Sequence, residues 1–222
     1  MSWAAELRGF GVAGILAIVI IVLSGTVLVG DMIAVPVGAA LVLVWAKLSQ
    51  TPWRELGFVR PRRWLGSLAV GILLGVALKL VMKAIVMPLL GAPPVNQAFQ
   101  FLAGNRALLP AAVWAMLMAG FGEETVWRGF LFERLGTLLG PGAGAKAFIA
   151  VLTSVLFGLA HYEVQGVAGV EQAALVGLVF AAVVARTGSL IVPIVAHAAF
   201  DLTALAIIYW RLETAVAHLA FK

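Results

Sequence analysis

Long apolar runs, broken at intervals by short polar or glycine- and proline-rich segments, set the pattern of the chain. Seven of them, near residues 9–30, 32–48, 64–90, 108–138, 146–162, 171–186 and 189–210, are close to the roughly 20 residues that carry a helix across about 30 Å of hydrocarbon. They are continuously apolar rather than alternating, which argues against a membrane barrel. The connectors carry the expected punctuation: "SQTPWRELGFVRPRR" at 49–63, "GAPPVNQAFQFLAGNR" at 91–106 and "GPGAG" at 140–144. The pattern predicts an all-α, polytopic transmembrane helical bundle of seven helices, or eight if one segment is re-entrant or broken. With no internal repeat or low-complexity tract, one membrane domain over residues 1–222 suffices.

Composition strengthens this picture. The 222 residues are 63% hydrophobic and 11% charged, against about a quarter charged in soluble domains. Arg8 followed by an apolar run resembles a signal sequence, but the run extends to Gly30 without a clear small-residue cleavage site, so it reads as a retained span. The absence of cysteine excludes disulfides, thiolate metal ligands and a cysteine nucleophile. The net charge of +5 reflects topology rather than nucleic-acid binding. With the N-terminus cytoplasmic, the inner side carries Arg8, Lys47, Arg54, Arg60, Arg62, Arg63, Arg134, Lys146 and Arg186, and the outer side only Arg106, Arg211 and Lys222. The reading is a multi-pass protein of the plasma (inner) membrane with its N-terminus inside. Lys79 and Lys83, one turn apart in the third span, are expected to snorkel to a membrane surface. Gly71 and Gly75 form a small-xxx-small pair that points to close helix packing.

Ionisable groups inside apolar spans are costly and need a reason. In "AGFGEETVWRGFLFERL" (119–135), Glu124 and Arg128 are spaced i,i+4 with the acid first, the favourable order for an ion pair within a helix. Glu123 is rotated about 100° away and has no obvious partner on its own helix. "FGLAHY" places Phe157 and His161 one turn apart, and "PIVAHAAFDL" projects His197 and Asp201 from one face. Taken singly, each has a bland reading: a structural ion pair, a satisfied core histidine, an intrahelical hydrogen bond. Jointly they go further. Glu123 and His161 are each 19 residues from Gly142, so a helical hairpin around "GPGAG" brings them to one depth, with His197 and Asp201 entering from the same side. A carboxylate and a histidine can activate a water, and a second histidine with a polar neighbour can stabilise the oxyanion formed at a carbonyl.

In that order, "EETVWR", "FGLAH" and "HAAFD" resemble the CAAX protease and bacteriocin-processing enzyme (CPBP) family of intramembrane proteases, which includes the type II CAAX prenyl endopeptidases. The resemblance covers about residues 105–205, the expected catalytic core, and "WRELGFVRP" is similar to a further, less specific family feature. It implies that Glu123 activates water with the help of His161, that His197 and Asp201 stabilise the oxyanion, and that Glu124 and Arg128 support the site. Asp201 stands where the prenyl endopeptidases typically carry asparagine. An ionised aspartate accepts but cannot donate, so Asp201 must be protonated, orient His197 or ligate a metal.

The expected function is an intramembrane endopeptidase that hydrolyses a membrane-associated or lipidated peptide. Its partners are membrane lipid and a peptide or protein substrate approached from the bilayer, with no nucleic acid. No cofactor is expected. A zinc-dependent version would use His161, His197 and Glu123, although the sequence lacks H-E-x-x-H. Two alternatives use the same residues: a proton-coupled transporter, and an inactive membrane scaffold or immunity factor.

Overall fold

In the computed structural model, residues 2–26 and 34–221 are described. The ends of the first two predicted spans around 27–33, and Lys222, lie outside them. A short helix α1 (Trp3–Arg8) leads into α2 (Val12–Thr26) and α3 (Ala34–Leu48). The third span is α4 (Trp64–Val81), a π-helical turn (Met82–Val86) and α5 (Met87–Leu89) in one rod. The fourth is α6 (Leu109–Glu124), a second π turn (Thr125–Phe130) and α7 (Leu131–Leu139). Then follow α8 (Ala143–Leu159), α9 (Tyr162–Thr187), α10 (Ile191–Tyr209) and a short α11 (Glu213–Ala217).

All the described elements are helical, and the rods fall on the apolar runs. Trp64–Leu89, Tyr162–Thr187 and Ile191–Tyr209 are long and apolar enough to cross a membrane, and Val12–Ser24, Val35–Leu48 and Ala143–Leu159 are shorter apolar helices. The protein is a helical membrane bundle. Its outer surface is apolar, as a lipid-facing wall must be: Leu65 and Leu73 of α4 are exposed, whereas Gly71 and Gly75 of the same helix are buried. One boundary differs from expectation. The sixth helix begins at Tyr162 rather than near 171, and its first turn is bent from the rest at Gly166 (φ 62°, ψ −158°). Only glycine adopts that conformation without strain, which allows the chain to re-enter a helix directly after His161.

Helix α10 is the centre of the bundle, packed against α4 and α6, while α8 lies along α9. Glycine makes these approaches close. A side chain at Gly75 would overlap the Ala196 carbonyl oxygen, and one at Gly120 would come within 2.7 Å of the Ala198 nitrogen. The Gly71/Gly75 pair therefore serves packing within the chain, here of α4 on the helix that carries His197 and Asp201.

One end of the bundle is locked by the 49–63 connector. Leu190 N donates to Gly57 O (2.9 Å), so "WRELGFVRP" is tied to the turn that starts α10. Leu56 packs with Trp45, Val126, Trp127 and Phe130. Arg8 pairs with Glu55, Trp45 Nε1 donates to Leu7 O (3.2 Å), and Arg134 donates to Arg8 O. Arg8, Glu55 and Arg134 thus meet at one end of the bundle.

Candidate functional site

Glu123 and Glu124 are the last residues of α6 before the π turn. Every residue of that turn, from Thr125 to Phe130, is buried, and Thr125 Oγ1 donates to Phe121 O (2.6 Å) to hold its entry. π turns recur at functional sites because the extra residue re-aims neighbouring side chains. Here Glu124 turns into the protein interior and Glu123 toward a cavity.

Glu124 is the hub. Arg128 Nη1 donates to its Oε1 (2.9 Å), and the same oxygen accepts from His197 Nδ1 (2.8 Å), 73 residues away on α10. Glu124 and Arg128 are 0% and 1% exposed, so this is a desolvated pair rather than a surface ion bridge. The guanidinium also lies 4.4 Å from the centre of the Phe157 ring, which adds a cation–π contact where water does not compete. Arg128 Nε and Nη2 and Glu124 Oε2 have no hydrogen-bond partner among the described residues.

With Nδ1 committed to Glu124, the His197 ring can only turn Nε2 toward the cavity. There it lies 3.7 Å from Glu123 Oε2 and 3.5 Å from Asp201 Oδ2. Glu123 Oε2 is buried without a hydrogen bond. Phe180 (5.5 Å between ring centres) and Phe157 (6.0 Å) hold the imidazole from two sides. His161 sits at the junction of α8 and α9, its ring edge-on to Phe157 (4.7 Å). Its Nδ1 is 2.8 Å from Phe157 O. A carbonyl oxygen only accepts, so Nδ1 carries a proton, and in the neutral form of the ring Nε2 is the acceptor.

These groups share one cavity of about 530 Å³, lined by Glu123, Phe157, His161, His197 and Asp201 among others. The remaining wall is largely apolar, with Met87, Phe99, Leu102, Met116, Val176 and Ile207. A few convergent polar groups in an apolar pocket of this size are what a peptide or small-molecule site requires.

The structure departs from expectation in three places. Glu123 meets His197 rather than His161; no carboxylate lies within ion-pair distance of His161 among the described residues. The reason is that α8 packs along α9 rather than forming a simple hairpin with α6, so equal distance from Gly142 does not translate into contact. Second, Lys79 and Lys83 do not snorkel. Lys79 is buried and donates to Gln172 Oε1 (3.2 Å), while Lys83 donates to Pro94 O (2.6 Å) and to Glu213 Oε1 (3.3 Å). Third, Glu124 does more than pair with Arg128: it fixes His197, a contact between distant segments that i,i+4 spacing cannot reveal. The three side chains of the zinc-dependent version do not form a metal-holding group among the described residues.

Gly177 on α9 is a supporting position that the sequence did not single out. A Cβ there would overlap Arg128 Nη2 and lie 3.2 Å from the Phe157 ring. Because Arg128 is pinned by Glu124, it cannot yield cheaply. Gly177→Ala is expected to lower stability by about 1–3 kcal/mol through overpacking and to reduce activity with it. Gly144→Ala on α8, where a Cβ meets nothing within 4 Å, is the control. Thermal unfolding of the two variants in detergent compares them, and equal midpoints would remove the packing argument.

Residues 105–203 match the family model described as Type II CAAX prenyl endopeptidase Rce1-like. The matched segment is similar to the CAAX proteases. No curated protein and no solved structure matches the chain. The matched segment begins just before α6 and ends within α10, so it contains all three sequence motifs and every polar residue that meets at His197. The match supports a protease, a hydrolase of peptide bonds, at this membrane segment. Lys79 and Lys83 lie outside the matched residues.

Proposed function

We propose that the protein is an intramembrane endopeptidase in which Glu123 and His161 activate a water and His197, with Asp201, receives the oxyanion. The observation that carries this reading is the Glu124–His197 hydrogen bond. It commits Nδ1, so a proton on Nε2 becomes a donor aimed into the cavity between Glu123 and Asp201. A substrate carbonyl whose oxygen sits at Nε2 has its carbon open to a water held by the Glu123 carboxylate and the lone pair of His161 Nε2. The water oxygen bonds to the carbonyl carbon and its proton passes to Glu123. Collapse of the tetrahedral intermediate breaks the C–N bond, and the proton is delivered to the leaving amine. Asp201, on the same nitrogen of His197, orients the ring when ionised and donates to the oxyanion when protonated.

The substrate class is a membrane-associated or lipidated peptide, because the cavity wall is apolar and the bundle's outer face meets lipid. The N-terminus and the 49–63 connector lie on the cytoplasmic side of the plasma membrane in this reading, supported by the imbalance of lysine and arginine between the two sides. Water activation requires no metal. The test compares the peptides that accumulate in membranes of cells carrying wild type, Glu123→Gln or His161→Ala, with and without a zinc chelator on the purified protein. Both variants are expected to accumulate the same uncleaved peptides, and the chelator to leave hydrolysis unchanged. Identical peptide profiles with intact, inserted protein would end the protease reading, and loss of activity on chelation with recovery on added zinc would end the metal-free one.

A further inference from the structure

A second polar point lies in the same cavity, and the chemistry above does not use it. Lys79 on α4 is 8% exposed and lines the cavity. Its Nζ donates to the neutral Gln172 Oε1 (3.2 Å) and lies 4.7 Å from the centre of the Phe200 ring. Among the described residues no carboxylate is within ion-pair distance of it; Asp201 and Glu213 act on it only from further away. A cation buried in this way normally has an anion beside it, since desolvation costs several kcal/mol. Lys83 shows the contrast. One turn along, it has such a partner in Glu213, which Asn96 N (2.9 Å) and Gln100 also hold. Lys83 and Glu213 thus satisfy each other, and Lys79 does not share in that pair.

Resting on the endopeptidase reading, we infer that Lys79 and Gln172 form a binding point for a carboxylate of the substrate. Gln172 commits its oxygen to Lys79, so its amide nitrogen faces the same place as a donor, and Lys79 retains further N–H groups. The position sets a distance. Phe200, beneath Lys79, is one turn along α10 from His197, about 5 Å by helix rise. An extended peptide spans about 3.3–3.6 Å per residue, so the anion recognised at Lys79 lies within about one to three residues of the bond cleaved at His197. The carboxylate comes from the peptide's C-terminus or from an acidic side chain at that spacing. Lys79 thereby selects among apolar peptides that the rest of the wall accepts alike.

The test uses N-acylated, quenched-fluorescent apolar heptapeptides in three forms: free C-terminal carboxylate, C-terminal carboxamide, and carboxamide with one glutamate near that end. Binding is measured on the full-length Glu123→Gln protein with Lys79 intact, Lys79→Met or Lys79→Arg, and cleavage on the same Lys79 series with Glu123 present. A carboxylate form is expected to bind about ten- to a hundredfold more tightly than the carboxamide. Lys79→Met should remove that preference and leave carboxamide binding unchanged, while Lys79→Arg retains it. Preference for the first form assigns the terminal carboxylate, and preference for the third form the side chain. No carboxylate preference, or equal weakening of all three forms by Lys79→Met, overturns the proposal. If binding shows the preference while nothing is cleaved, the carboxylate point stands and the endopeptidase reading falls.

Discussion

Replacing Glu123 by glutamine is expected to lower peptide hydrolysis by about 10²- to 10⁴-fold, the contribution of a positioned general base, with little loss of fold. The two effects separate for a structural reason. Glu123 Oε2 is buried without a hydrogen bond and faces His197 Nε2 only at 3.7 Å, so the native state loses no hydrogen bond, and only a long ion-pair contact, when the carboxylate becomes an amide. The isosteric change should therefore shift stability by about 1 kcal/mol or less. Single-turnover cleavage and thermal unfolding of the same preparation measure both quantities. A variant that unfolds and loses activity in parallel would show that Glu123 is structural.

Arg128→Ala should do the opposite and strike the fold first. Glu124 is completely buried, and removing the guanidinium leaves its carboxylate with His197 alone. Breaking one side of a buried pair costs about 3–5 kcal/mol, and here the cation–π contact with Phe157 is lost as well. A second variant makes the interpretation specific. Replacing Glu124 and Arg128 together by leucine removes both charges and should recover much of the stability, because removing a buried pair is far less damaging than orphaning one member. Activity should not return with it, since His197 Nδ1 has then lost the acceptor that orients its ring. Recovery of both stability and hydrolysis in the double variant would refute the role given to the Glu124–His197 bond.

The relation between sequence and site is clearest residue by residue. Continuous apolar runs were enough to define the helical membrane bundle, because hydrocarbon leaves the backbone few other ways to satisfy its hydrogen bonds. The spacing of Glu124 and Arg128 predicted their ion pair, which depends only on helix geometry. Glu123, His161, His197 and Asp201 could be named as ionisable residues in apolar spans with ordered motifs, and all four line one cavity. Likewise, Gly71 and Gly75 announced a close helix approach that α10 fills.

What only the tertiary structure decided are the contacts between helices. Nothing in local spacing says that Glu124 Oε1 serves Arg128 and His197 together, or that Glu123 faces His197 while His161 holds Phe157 O. These depend on the rotation and depth of each helix, which the π turns and the bend at Gly166 alter. The same limit applies to Lys79. From sequence alone a lysine within a span is expected to snorkel to a membrane surface, because its long side chain can carry the ammonium toward water. The packing of α4 against α10 instead turns it inward beside Phe200 and Gln172. The apolarity of a span is a property of one segment and can be read along the chain, whereas the meeting of charges is a property of several helices and exists only once they are packed.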